Sequence, residues 1–236
     1  TSERGEEVKT TFAGFKEQTD RTAAYFLSLG ISRGDKVMLI LKRHYQWWLA
    51  MMALCKIGAV AIPATHMLTT KDIVYRNRRA SVKAIICVND EYVTTQVRQS
   101  VPESPTVEVL VAVNSMAQRD NPVPEGFHDW HKEWQEAPAF VRPEEVNTNG
   151  DTMLMYFTSG TSGEPKMVAH DYLYALGHLV TGVFWHNLDE NGIHLTVADT
   201  GWGKAVWGKL YGQWFAGATV FVYDHEKFTA GKIMRV

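Results

Sequence analysis

The stretch Tyr156-Phe157-Thr158-Ser159-Gly160-Thr161-Ser162-Gly163-Glu164-Pro165-Lys166 narrows the folds open to this chain more than any other part of it. An apolar run stops abruptly in a loop of hydroxyls and glycines, and one lysine closes it. Gly160 and Gly163 allow positive φ and a close approach of backbone to a ligand. Backbone amides and the hydroxyls of Thr158, Ser159, Thr161 and Ser162 can donate to anionic oxygens, and Lys166 adds a point charge. The loop reads as a phosphate cradle that follows a buried strand.

Two common phosphate motifs do not match. A P-loop ends in Gly-Lys-Ser/Thr, whereas this lysine stands between Pro165 and Met167. The dinucleotide fingerprint fails at Gly201-Trp202-Gly203-Lys204-Ala205-Val206, where valine replaces the third glycine. A flexible Ser/Gly linker is the plain alternative, but linkers seldom follow a buried strand and lead straight into a helix, as this segment is expected to do.

Alternation of strand and helix supplies the framework. Helices are expected over residues 11–29, 44–57, 70–80, 91–100, 127–135 and 171–183, and strands over 36–41, 59–62, 83–88, 107–113, 152–157, 194–198 and 218–223. Short connections between such elements imply an α/β fold of largely parallel sheets covered by helices. Residues 114–126 and 138–150 read as loops. A further helix has begun near Phe228 when the sequence ends, which reads as a cut chain.

Composition excludes several classes. With 45% hydrophobic and 21% charged residues among 236, the chain is of ordinary globular character, and a formal net charge of -2 favours neither nucleic acid nor an acidic membrane surface as partner. No run approaches a membrane span. Cys55 and Cys87, the two cysteines, lie in apolar elements and read as buried, reduced thiols. From these features the protein is expected in the cytoplasm.

Thr/Ser-Gly-Thr-Ser-Gly-x-Pro-Lys resembles the signature loop of the adenylate-forming superfamily, which includes acyl-CoA synthetases, aryl-CoA ligases, luciferases and peptide-synthetase adenylation domains. Val197-Ala198-Asp199-Thr200-Gly201-Trp202-Gly203-Lys204 resembles the next block of that superfamily. Ile31 to Val37 and Lys56 to Pro63 resemble its Gly-Asp-x-Val and Gly-Ala-x-x-x-Pro stretches. Within it, the sequence is most similar to acetyl-CoA synthetase relatives that act on fatty acids, with medium-chain acyl-CoA synthetases nearest.

The resemblance implies ATP-dependent activation of a carboxylic acid, with ATP, Mg2+ and coenzyme A as cosubstrates. Thr158, Ser159, Gly160, Thr161, Ser162, Gly163 and Lys166 would bind the ATP phosphates, with Thr158, Thr161, Gly163 and Lys166 foremost. Trp202, Gly203 and Trp207 would line the acyl pocket. The family's Tyr-Gly-x-Thr-Glu block, ribose-binding aspartate, hinge and lysine-bearing C-terminal domain have no match here, so no catalytic residue or metal ligand is assigned and the fragment is expected to be inactive alone. The resemblance also implies two stacked sheets that form part of the N-terminal domain. Residues 1–68 and 188–236 would make a first, discontinuous lobe sharing one sheet, and 69–187 a second lobe carrying the phosphate loop. A homo-oligomer is compatible with all of this.

Other candidates carry plainer readings. Asp199 is a turn cap as readily as a catalytic group. His128 and His131 read as a surface pair, because no partner motif makes them metal ligands. Arg76, Arg78 and Arg79 read as a solvated helix face, and His170 as a capping or packing residue. The functional alternatives are a stand-alone nucleotide- or phosphate-binding module, an unrelated metal-dependent NTPase, and an adenylating enzyme with another acceptor or an aryl acid.

Overall fold

A computed structural model describes residues 1–2, 5–158, 163–225 and 229–235. The first helix, α1 (Phe12–Ser28), begins where the Thr11 hydroxyl accepts the Gly14 amide, and its buried side, with Thr22, Ala23, Tyr25 and Phe26, packs on α2 (Gln46–Ile57). Gly58 ends α2 at φ 74°, a left-handed conformation that favours glycine, with the Asn147 side chain lying against it. A capping box between Thr69 and Asp72 starts α3 (Thr70–Ala80), and Asp90 caps α4 (Glu91–Ser100).

Seven strands form the main sheet: β1 (Lys36–Ile40), β2 (Val60–Pro63), β3 (Val82–Val88), β4 (Val109–Val113), β5 (His128–Asp129), β6 (Thr152–Thr158) and β7 (Lys166–Asp171). Their order is β5-β4-β3-β1-β2-β6-β7, parallel throughout except for the antiparallel β6–β7 pair. Runs such as Ala84-Ile85-Ile86-Cys87-Val88 are fully buried, as both faces of a parallel sheet must be. Cys87 is buried and Cys55 half-buried, and neither is in a disulfide.

The remainder docks against this sheet. After α5 (Trp130–Gln135) and β7 come α6 (Leu173–Val180) and a π-helical turn, Thr181–Trp185. β8 (Ile193–Leu195) pairs in parallel with β9 (Thr219–Phe221), with α7 (Gly203–Lys209) and α8 (Tyr211–Phe215) between them and α9 (Ala230–Ile233) following. Trp48 Nε1 donates to the Lys209 carbonyl at 2.8 Å, and the Tyr211 hydroxyl reaches Met153 Sδ at 3.4 Å. A Cβ on Gly182 would lie 2.1 Å from the Gly212 carbonyl oxygen, so two glycines let the π turn and α8 touch through backbone.

The α/β class with a largely parallel, helix-covered sheet agrees with the sequence reading, and three local expectations change. Among the described residues the strands of 1–68 and those of 194–223 lie in separate sheets, against the expected sharing of one sheet. β3 and β2 occupy the two edges of β1, and β1 and β6 those of β2, so neither strand has an edge to offer β8 or β9. Residues 166–171 form an edge strand rather than leading straight into a helix, which starts only where the Asp171 carboxylate accepts the Leu173 and Tyr174 amides. Residues 127–135 divide into β5 and α5 because Asp129 Oδ1 caps the helix by accepting the His131 and Lys132 amides.

Candidate functional site

In sequence the hydroxyl-rich loop joins β6 to β7, which pair antiparallel. Thr158 and Lys166 are register partners across its mouth, and the Thr158 hydroxyl is 3.5 Å from the Lys166 carbonyl oxygen. Ser159, Gly160, Thr161 and Ser162 lie outside the described residues. Gly163 takes φ +111° with no heavy atom near a would-be Cβ, so glycine serves the backbone conformation there rather than a close contact. Thr158 and Lys166 are both exposed.

The base of the loop is held from α3. The Tyr75 hydroxyl donates to the Pro165 carbonyl at 2.9 Å, and the Arg76 guanidinium lies 5.3 Å from the Phe157 ring centre. Arg76 is 13% exposed, so it is no part of a solvated face, whereas Arg78 is exposed and pairs with Glu103 at 3.2 Å. Burial lowers the Arg76 pKa, and the Asp72 and Glu164 carboxylates oppose that shift. The sequence reading missed this division because the helix turns Arg76 toward the hairpin and Arg78 away from it.

A second cluster gathers at the C-terminal ends of β1 and β2. The Thr200 hydroxyl donates to the Lys42 carbonyl, and a Cβ on Gly201 would sit 2.1 Å from Thr65 N and 2.2 Å from the Ala64 carbonyl carbon. Asp199 Oδ1 accepts the Gly201 amide at 2.9 Å, which is the capping role, while Oδ2 lies 3.2 Å from His66 Nδ1. The two atoms are close without forming a hydrogen bond. Burial pushes the Asp199 carboxyl up, but His66, the Gly201 amide and Arg43 more than offset it and hold it below the usual carboxylate range. Nearby, the ammonium of Lys209 donates to the Ala198 carbonyl at 2.6 Å, and burial with Arg43 pushes its pKa down to about 8.

His66 and Lys209 were not singled out from sequence. His66 had one available signal, since it follows the end of a parallel strand, where α/β sheets hold their ligands.

Trp202 precedes α7 and is 58% exposed, Gly203 opens the helix, and Trp207 lies one side along it. The His178 and His186 rings lie nearly parallel to the Trp207 indole, at 19° and 10°, with centroids 6.2 and 5.6 Å away, and Lys204 Nζ is 5.9 Å from that ring. Trp207 borders an open groove of about 550 Å³ formed with His178, Val180, Thr181, Phe184 and Trp185. Trp202 and Gly203 are not among its lining residues, so the three candidates do not converge on one wall.

The other histidines singled out from sequence make local contacts. His170 lies against Tyr174 with centroids 4.2 Å apart. His128 bonds Glu133 at 2.9 Å, whereas His131 is buried with Nε2 3.0 Å from the Asn114 carbonyl oxygen, so the two are not a surface pair.

Comparison with known proteins places this arrangement in a family. The profile of the AMP-binding enzymes matches residues 2–235, and the chain belongs to that family. It is 34% identical over 235 residues to the mouse protein named acyl-coenzyme A synthetase ACSM5, mitochondrial, covering 98% of this chain and 38% of that one. With human acyl-coenzyme A synthetase ACSM4, mitochondrial, it shares 34% over 231 residues, with 95% and 38% covered. The chain thus spans about 38% of the length of these relatives.

Among solved structures, Brucella canis acyl-CoA synthetase superposes with a TM-score of 0.82 at 21% identity, over 97% of this chain and 40% of that one. The anthranilate CoA ligase AuaEII, solved with anthranoyl-AMP, gives 0.86 at 19% identity, over 99% and 43%. These likenesses establish the fold as that of the N-terminal part of adenylate-forming enzymes.

One expectation is overturned: the relatives are named mitochondrial, so the cytoplasmic placement does not stand. It rested on reduced thiols and the lack of a membrane-length run, which any reducing compartment shares. Among the described residues no helix is long and apolar enough to cross a membrane.

Proposed function

We propose that this chain holds the phosphate loop and the acyl-side wall of an AMP-forming acid–thiol ligase. The parent enzyme activates a carboxylic acid, here a fatty acid, with ATP to an acyl-adenylate and passes the acyl group to coenzyme A. The observation that carries the reading is the strand pairing that sets Lys166 opposite Thr158, with both side chains exposed.

The chemistry asks for positioning and charge compensation. A carboxylate oxygen attacks the α-phosphorus, the bond from that phosphorus to the bridging oxygen breaks, and pyrophosphate leaves with the electron pair. Thr158 and residues 159–163 wrap the β- and γ-phosphates through amides and hydroxyls, and Lys166 offsets charge on the departing pyrophosphate. Ser159, Gly160, Thr161 and Ser162 enter this assignment on their chemistry alone. Trp202, Gly203 and Trp207 bound the acyl side, where flat indoles line an apolar slot. Among the described residues no group of three His, Cys, Asp or Glu could hold a metal ion.

Acid-dependent exchange of labelled pyrophosphate into ATP, measured on the gene product that carries these residues, tests the proposal. Exchange that rises with a medium-chain acid is the expected result. No exchange with short, medium or aromatic acids sinks the ligase reading and leaves a phosphate-binding module.

A further inference from the structure

His66 stands where three parts of the site meet. β2 and β6 are parallel neighbours with Ala61 in register with Leu154, so the chain that leaves β2 after Pro63 runs out of the same sheet edge, beside the strand that delivers Thr158. The Asp199–Trp202 turn lies on this stretch: the Trp202 amide donates to the Asp199 carbonyl at 3.2 Å, and Gly201 rests against the backbone of Ala64 and Thr65. Trp202 and Gly203, assigned to the acyl side, continue directly from the turn. A bond between an acyl group and a phosphate therefore falls between the end of β6 and this turn, and His66 is the one titratable residue of the 64–68 segment that joins them.

The two nitrogens of His66 meet different surroundings. Nδ1 is shielded from solvent and lies 3.2 Å from Asp199 Oδ2, whose side chain is only 9% exposed. Nε2 is neither shielded nor hydrogen-bonded among the described residues, and the side chain keeps 30% of its surface exposed. Burial raises the Asp199 pKa, but His66, the Gly201 amide and Arg43 together hold it below the usual carboxylate range, so the group behind the ring is an anion. That charge favours the tautomer with its proton on Nδ1, leaves the Nε2 lone pair free, and stabilises the ring once Nε2 gains a proton. While the ring is neutral, the same charge repels a phosphate from Nε2.

Of the two halves of the ligase reaction, only the second has a proton to dispose of. The acid enters as its carboxylate, whereas the thiol of coenzyme A loses a proton in becoming a thioester. We propose that His66 is the general base of this second half. The S–H proton passes to Nε2, the sulfur bonds to the acyl carbonyl carbon, and the bond from that carbon to the phosphate oxygen breaks, so that AMP leaves with the electron pair. Asp199 is the positioning residue that fixes the tautomer of the ring. This role rests on the ligase reading and adds to it the residue that serves the thiol.

Two rates measured on the gene product that carries these residues test the role. Exchange of labelled pyrophosphate into ATP with octanoate reads adenylate formation, and appearance of the thioester when coenzyme A is added to enzyme loaded with octanoyl-adenylate reads the thiol step. In His66→Gln the ratio of the thiol step to exchange is expected to fall about a hundredfold, the size of a general-base contribution. Asp199→Asn, whose amide oxygen still accepts the Gly201 amide without carrying the charge, is expected to lower the same ratio. A ratio in His66→Gln within about threefold of wild type overturns the proposal, since a structural role slows both halves together. No exchange in the wild type overturns the ligase reading, and this role with it.

NMR of isotope-labelled histidine in the 236-residue protein needs no variant. The neutral His66 ring is expected to carry its proton on Nδ1 and none on Nε2. A proton found on Nε2 instead overturns the proposal.

Discussion

Replacing Gly201 by alanine should be among the most damaging single-carbon changes available to this protein. The added Cβ would lie 2.1 Å from Thr65 N, 2.2 Å from the Ala64 carbonyl carbon and 2.5 Å from Thr65 Cα, against 3.4 Å or more in an ordinary contact. All three are backbone atoms just past the end of β2, which is paired on both edges, so no side chain can swing aside. The Asp199–Trp202 turn must back away instead. Overpacking of this kind costs about 1–3 kcal/mol. Withdrawal also stretches the Thr200 bond to the Lys42 carbonyl, at about 1 kcal/mol. The total is about 2–4 kcal/mol, or a fall in Tm of about 4–16 °C for a chain of this size. Gly203→Ala is the matched control, since no heavy atom lies within 4 Å of its Cβ position and it sits in the first turn of α7. It should be neutral or stabilising by up to about 1 kcal/mol. Urea unfolding of both variants at pH 7 measures the difference. A Gly201→Ala midpoint within about 0.5 kcal/mol of wild type would falsify the claim that the turn and the strand end are locked together.

Lys166→Ala should reduce pyrophosphate exchange by about a hundredfold, as loss of one charge-stabilising donor does, while moving the unfolding midpoint by no more than about 0.5 kcal/mol because the side chain is exposed. Equal losses of exchange and of stability would instead assign it a structural role. Lys209 offers a test by pH. Its folded-state pKa, about 8 against an ordinary 10.5, means that between those values the unfolded chain binds the extra proton, so stability from this group rises with pH across that window. Lys209→Met should therefore be more stable than wild type at pH 7, by up to about 3 kcal/mol, with the advantage shrinking from pH 8 toward pH 10. A difference between the two proteins that stays constant with pH, read from urea unfolding, contradicts a depressed pKa.

Much of the framework was legible because burial and period are written locally. The continuous apolar run through Ala84 to Val88 can only be a strand covered on both faces, and Thr69 with Asp72 announces the start of α3 within four letters of sequence. Where two elements compete for the same letters, the reading erred. Lys166 to Asp171 mixes charge with apolar residues as an exposed edge strand does, and six such residues beside a helical pattern are easily absorbed into it. The short helices α7 and α8, five to seven residues each and rich in glycine and tryptophan, carry too few turns for a period to show. For the candidate site, the loop letters stood out by themselves. The contact of Asp199 with His66 joins residues far apart in the chain and leaves no local trace.

The amino-acid sequence alone determined the α/β alternation, the caps, the glycine-hydroxyl-lysine loop and the membership in a family of adenylate-forming enzymes, since each of these is carried by neighbouring residues whose spacing sets backbone conformation. The tertiary structure decided which strand edges were taken, that Arg76 turns inward against Phe157, and that Gly201 must be bare to let a turn lie on a strand end. Those outcomes depend on steric exclusion and desolvation between segments far apart in the chain, and these forces act only once the segments are packed together.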